Sequence, residues 1–166
     1  TFTAIFFLTC SQPEPVTGEW RWYGSDMASS KYISLNQIDR SNVHDLRVAW
    51  RWNSIDNMIL DNNPDLRVFV NEATPLMVNG MLYTSTALSQ VAAISPVTGQ
   101  TIWSYDPKTY EDGTPANVGF VHRGVAYWEE GSDKRILYAT GDGYLIALDA
   151  DTGEPINEFG TNGRVD

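Results

Sequence analysis

With 166 residues, 42% hydrophobic and 19% charged, the chain is globular in composition and long enough for one folded unit with a sizeable core. A formal net charge of −10 argues against nucleic acid and anionic membrane surfaces as partners, and its plainest meaning is solubility. A single cysteine, Cys10, excludes an internal disulfide.

Residues 1–18 divide from the rest. Residues 4–8, AIFFL, form an apolar run too short to span a bilayer. Cys10 follows, then a polar linker, SQPEP. The run has the character of the end of a signal peptide. Cys10 is then either the lipidated cysteine of a lipoprotein or an incidental residue behind a plain secretory signal. Thr9, bulkier than the Gly or Ala usual before a lipidated cysteine, weighs against the first. Both imply export, and the expected location is the periplasm, with or without a lipid anchor at Cys10.

Residues 19–45 carry Trp20, Trp22, Tyr23 and Tyr32 among many Ser and Asn, which suits an irregular, aromatic-anchored lead-in. Ser41-Asn42 is placed to cap one helical turn over Val43-His44-Asp45-Leu46. From Leu46 the period is two, with Val48, Trp50 and Trp52 on one face and Arg47 and Arg51 on the other. Residues 54–65 read as an Asn/Asp-rich loop. Short strands are then expected over 66–70, 75–78, 81–86, 90–95, 101–105, 124–128, 135–140 and 144–149. Asn79-Gly80 is a hairpin turn signal, Gly131-Ser132-Asp133 and Asp142-Gly143 are others, and 106–117 form a polar Pro/Gly loop. No segment has sustained helical periodicity, so the chain is predicted to be all-β.

Two stretches echo each other: VAAISPVTGQTIW at 91–103 and LIALDADTGEPIN at 145–157. Ala93 and Ala147 are 54 positions apart, and so are Thr98-Gly99 and Thr152-Gly153. Met81-Leu82-Tyr83-Thr84 echoes Ile136-Leu137-Tyr138-Ala139 at an offset of 55. A fixed period of this size marks a repeat architecture. Pro96 presets φ for a turn that Gly99 closes with positive φ, and the next strand carries Trp103. That ring is expected to fill the space between adjacent sheets. Four strands in about 54 residues is a propeller blade, and closing a ring takes at least about four blades. A sandwich or open meander does not require a repeated turn at fixed offset. The chain therefore reads as roughly two blades of a larger ring.

The motif Ala-x-(Asp/Ser)-x-x-Thr-Gly-x-x-x-Trp resembles the tryptophan-docking repeat of quinoproteins, the pyrroloquinoline quinone (PQQ) dehydrogenases. NEATPLMVNGMLYTST (71–86) resembles that family's first-blade segment, and HRGVAYW (122–128) the segment opening its second blade. ALDADTGEPINEFGTNGRVD (147–166) is similar to the glucose-dehydrogenase-like branch, and the lead-in 19–50 fits the family's start. The resemblance covers nearly everything after the leader and implies that 19–166 is the N-terminal portion of an eight-bladed propeller with PQQ near its axis. It implies oxidation of a sugar or alcohol, with electrons passed to a quinone or a cytochrome. It also implies a calcium ion, whose ligands, with the stacking Trp and the catalytic Asp, lie further downstream in the family.

Two site residues carry over by resemblance. Arg123, in HRG, matches a family arginine that contacts the cofactor, and its guanidinium fork suits carboxylate and carbonyl oxygens. Glu72, in NEATP, matches a glutamate at the cofactor's edge. The plainer alternatives are a strand-end or acid partner for Arg123 and a turn cap for Glu72. There are departures. Asn117 and Val118 stand where methanol-type members have adjacent cysteines, and Gly119 where membrane glucose dehydrogenases have a histidine. In the second repeat Asn157 replaces the docking Trp, with Phe159 two residues later.

Other signals are weaker. Asp149-x-Asp151-x-Gly153 fails as a calcium loop, because Gly160 holds the place of its Glu, and Asp149 reads as a turn residue. Gly141-Asp142-Gly143 precedes a strand and lacks the third glycine of a dinucleotide loop. His44 and His122 have no spaced partners for zinc, and a strand-edge hydrogen bond is the simple role for His122. The rival to the enzyme is a non-catalytic propeller of similar repeats, such as an outer-membrane assembly lipoprotein. HRGVAYW favours the enzyme.

Overall fold

The computed structural model describes residues 18–68, 70–116 and 118–166. The 4–8 run, Cys10 and Asn117 lie outside the described residues. Two four-stranded antiparallel meanders dominate. The first, blade 1, comprises β1 (Leu76–Val78), β2 (Met81–Ser85), β3 (Val91–Ile94) and β4 (Thr101–Tyr105). The second, blade 2, comprises β5 (Ala126–Glu130), β6 (Asp133–Ala139), β7 (Leu145–Asp149) and β8 (Arg164–Val165). Leu82 pairs with Ile94 in blade 1, and Leu137 with Ala147 in blade 2.

The inner faces meet in one core. Leu76, Val78, Tyr83, Val91 and Ala93 of blade 1 pack with Ile136, Tyr138, Ile146, Leu148 and Ala150 of blade 2. Alternation sends Val125 and Tyr127 against this core, while Ala126 and Trp128 face solvent. The Tyr83 hydroxyl donates across the interface to the Ala150 carbonyl at 3.2 Å.

The echoed turns are the same structure twice. The Gly99 N–H donates to the Ser95 carbonyl and the Gly153 N–H to the Asp149 carbonyl, both at 2.8 Å. Both glycines have positive φ, 71° and 78°. Asp149 Oδ1 accepts from the backbone of Asp151 and Thr152 and from the Thr152 hydroxyl, which makes it the turn residue expected.

Trp103 is half-buried, packed against the edge of the shared core beside Tyr83, with ring centroids 6.0 Å apart. Its ring also covers the Gly153 turn, where a Cβ at Gly153 would fall 2.5 Å from its Cε3. Its Nε1–H donates to the Ala150 carbonyl at 3.0 Å. Tyr83, Tyr138 and branched aliphatics fill the centre of that core, and Trp103 covers its edge. Trp50 repeats this docking one blade earlier: a Cβ at Gly99 would fall 2.6 Å from its Cδ2, and its Nε1–H donates to the Pro96 carbonyl at 2.9 Å.

Three local expectations differ. Residues 66–68 and 70 are not in a strand; the Arg67 guanidinium turns back to the Pro64 carbonyl, and the Leu66 N–H to that of Asn63. A short helix, α1 (Asp56–Asn62), stands inside the predicted 54–65 loop. At two turns it is too short for periodicity to reveal. Residues 46–52, where the sequence has a period of two, join no sheet among the described residues. A 3₁₀ turn does form over Val43–Asp45, although Asn42 makes no side-chain cap. No helix among the described residues is long and apolar enough to cross a membrane.

Candidate functional site

The two inner strands begin side by side. Just ahead of β1 and β5, Thr74 and Gly124 form a parallel bridge, and the Thr74 N–H donates to the Arg123 carbonyl at 3.4 Å. Because the meanders are antiparallel, the β2–β3 turn (86–90) and the β6–β7 turn (140–144) lie at this same end. The opposite end is stitched by the lead-in. There Arg21 pairs with Glu19 and reaches Asn79 of blade 1 and Glu129 of blade 2. Hydrogen bonds from the Tyr127 hydroxyl and Arg21 hold the Glu129 carboxyl below its ordinary range.

Gly124 occupies a corner only glycine fits well. Its φ is 131°, and a Cβ there would sit 3.2 Å from the Thr74 carbonyl oxygen. The tight approach of the two backbones sets the side chains before them, Arg123 and Glu72, next to each other. Arg123 Nη2 and Glu72 Oε2 are 3.1 Å apart. Both predicted site residues thus meet at the mouth of the inner strands, and the acid partner named as the plainer alternative for Arg123 is Glu72 itself. The Arg123 side chain is 81% exposed, more open than the partly dry pocket an axial guanidinium would occupy. Blades 1 and 2 enclose it from one side only.

An open cleft of about 230 Å³ adjoins the pair, lined by Val121, His122, Arg123, Gly124, Ala139, Thr140 and Gly141. His122 is buried and forms its wall. Its Nε2 lies 2.7 Å from the Ala139 carbonyl, and its Nδ1 accepts the Gly124 N–H at 3.2 Å. A carbonyl only accepts, so Nε2 carries the proton and the ring is neutral. Burial lowers its pKa from the ordinary value, against the opposing effect of the Ala139 bond. The simple role expected for His122, a hydrogen bond at a strand edge, is what the structure shows, with a second bond to the Arg123–Gly124 corner that sequence spacing did not announce.

A guanidinium has five N–H donors, and among the described residues Arg123 pairs only with Glu72, leaving a fork that matches carboxylate geometry. Among the described residues no group of three or more His, Cys, Asp or Glu is arranged to hold a metal ion.

Comparison with known proteins bears on the family and the fold. Residues 20–166 match the family model described as the β-propeller domain of PQQ-dependent glucose, ethanol and alcohol dehydrogenases. The chain is 36% identical, over 99% of its length, to the quinoprotein glucose dehydrogenase of Gluconobacter oxydans (strain 621H), covering 22% of that protein. Among solved structures it resembles the quinohemoprotein alcohol dehydrogenase from Comamonas testosteroni, with a TM-score of 0.68 and 36% identity over 86% of this chain and 20% of that one. A europium-containing methanol dehydrogenase aligns with a TM-score of 0.67 and 29% identity over 84% of this chain and 22% of that one. The chain spans about a fifth of the length of these relatives. Two meanders packed about a shared core, docked tryptophans on a repeated turn and a match over 20–166 establish that the chain belongs to the β-propeller family of PQQ-dependent dehydrogenases.

Proposed function

We propose that this chain forms the first blades of a PQQ-dependent dehydrogenase that oxidises a sugar or an alcohol and passes the electrons to a quinone or a cytochrome. The observation that carries the proposal is the Arg123–Glu72 pair at the mouth of the inner strands. Arg123 would hold an acidic edge of PQQ through its fork, and Glu72 would orient that fork. Gly124 would let the two backbones come close enough to keep that pair together. Bound PQQ would supply a quinone that accepts two electrons from the substrate carbon. Calcium, or another hard cation, would be held by residues outside this chain, and the similarity to a europium-containing relative supports a metal-assisted site. The apolar run at 4–8 supports work outside the cytoplasm, in the periplasm.

PQQ titration of the full-length apo-protein tests the assignment. Arg123→Lys keeps the charge and loses the fork, so PQQ affinity is expected to fall by about tenfold or more, with Arg123→Ala weaker still. If both variants take up PQQ and regain activity like the wild type, Arg123 has no part in the cofactor site.

A further inference from the structure

We infer that His122 is a positioning residue for the cofactor site: its unprotonated Nδ1 fixes the corner from which Arg123 projects, so that the site loosens when His122 takes up a proton. This rests on the proposal that Arg123 contacts PQQ.

The corner has three ties. The Gly124 N–H ends on His122 Nδ1 at 3.2 Å, the Arg123 carbonyl accepts from Thr74, and the guanidinium pairs with Glu72. The first depends on the imidazole lone pair and the third on the Glu72 carboxylate, which His122 variants leave unchanged. On the far side of the ring, Nε2–H is committed to the Ala139 carbonyl at 2.7 Å. A ring anchored at Nε2 cannot turn to spare Nδ1, so protonation sets two N–H donors against each other and the Gly124 contact must open. Gly124 has little room to yield towards blade 1, since the Thr74 carbonyl stands against it. The displacement therefore falls on Arg123, the residue between the two bonded positions.

The surroundings favour the neutral ring. Tyr138 of β6 faces it, with ring centroids 5.7 Å apart. Burial raises the pKa of that phenol, so it stays uncharged. Asp142, in the β6–β7 turn, and Asp106 act on Tyr138 from further out. Arg123 follows in the chain with its charge paired to Glu72. Thr140 and Gly141, the remaining neighbours across the cleft, carry no charge. His122 itself is shifted downward by burial, so protonation takes acid below its ordinary 6.5.

The test is PQQ binding to the full-length apo-protein, followed by tryptophan fluorescence quenching from about pH 7.5 to about pH 5. His122→Asn places an acceptor at the same δ position, from which a side chain reaches the N–H two residues on, and it cannot be protonated. His122→Phe fills the space without either bond. At neutral pH the Asn variant should bind within about threefold of wild type, and the Phe variant about tenfold more weakly. On acidification the wild type should lose about tenfold more affinity than His122→Asn, the worth of one hydrogen bond to a positioning corner. Superimposable pH profiles for wild type and His122→Asn, or wild-type binding at neutral pH by His122→Phe, would overturn the inference while leaving PQQ binding intact. Absence of PQQ binding by the wild type at every pH would overturn both it and the function proposed above.

Discussion

At the scale of single residues, the repeated Thr-Gly is explained by what lies on it. Gly99 and Gly153 take positive φ, and each is covered by an indole ring at a distance that leaves no room for a methyl group. Gly131 also has positive φ, 61°, but nothing lies within 4 Å of where its Cβ would be. The two glycines therefore separate conformation from packing. Gly131→Ala should cost about 1–2 kcal/mol, the strain of a left-handed residue with a side chain. Gly153→Ala bears the same strain and must also lift Trp103 from its seat and stretch the bond to Ala150, so a loss of at least about 3 kcal/mol is expected. Urea denaturation of the folded full-length protein measures both. Equal losses would mean that the docked ring contributes nothing to the turn.

At the scale of elements, the strands were legible and their coverings were not. The strands β2, β4 and β7 fall within a residue of their predicted limits, because Asn79-Gly80, Thr98-Gly99 and Asp142-Gly143 state their ends locally. The HRG and NEATP motifs singled out Arg123 and Glu72, but only the Thr74–Gly124 bridge explains why they touch. Asp56 was not legible at all. It reads as one acid in an Asn/Asp-rich loop, yet it is buried, and its partners lie 30 to 34 positions downstream. It accepts from the Thr86 hydroxyl and the Gln90 amide, both at 2.6 Å, and from the Leu88 N–H at 3.2 Å. With the Thr109 hydroxyl bonded to the Leu88 carbonyl, α1 thus clamps the β2–β3 turn at the same end as Arg123. Asp56→Ala would strand three buried donors, and a loss of about 3 kcal/mol or more is expected, with Asp56→Asn losing less because one acceptor oxygen remains. Hydrogen exchange at Leu88 and Gln90 should quicken in step. A loss under about 1 kcal/mol would show that water replaces the carboxylate without cost.

At the scale of the whole molecule, the docking of Trp50 assigns a place to a segment that no sheet claims. Trp103 lies on β4, the outermost strand of blade 1, and docks on the turn of blade 2. Trp50 docks on the turn of blade 1 in the same way, and its neighbour Trp52 donates to the Thr101 hydroxyl at 2.9 Å. By that equivalence residues 47–52 occupy the position of the outermost strand of a blade preceding blade 1. Among the described residues, no backbone hydrogen bond joins 47–53 to other backbone groups. If the chain is part of a larger ring, as proposed above, the ladder of this segment would come from strands elsewhere in that ring. In the full-length protein the alternate amides of 47–52 should therefore be protected from hydrogen exchange nearly as strongly as those of β2 and β3, whereas in the 166-residue chain alone they should exchange at once. The same missing partners leave Val48 and Leu46 exposed here, so the short chain should also associate at concentrations where the full-length protein stays dispersed. Rapid exchange of 47–52 in the full-length protein would show that Trp50 anchors a loop and that the ring closes through other strands.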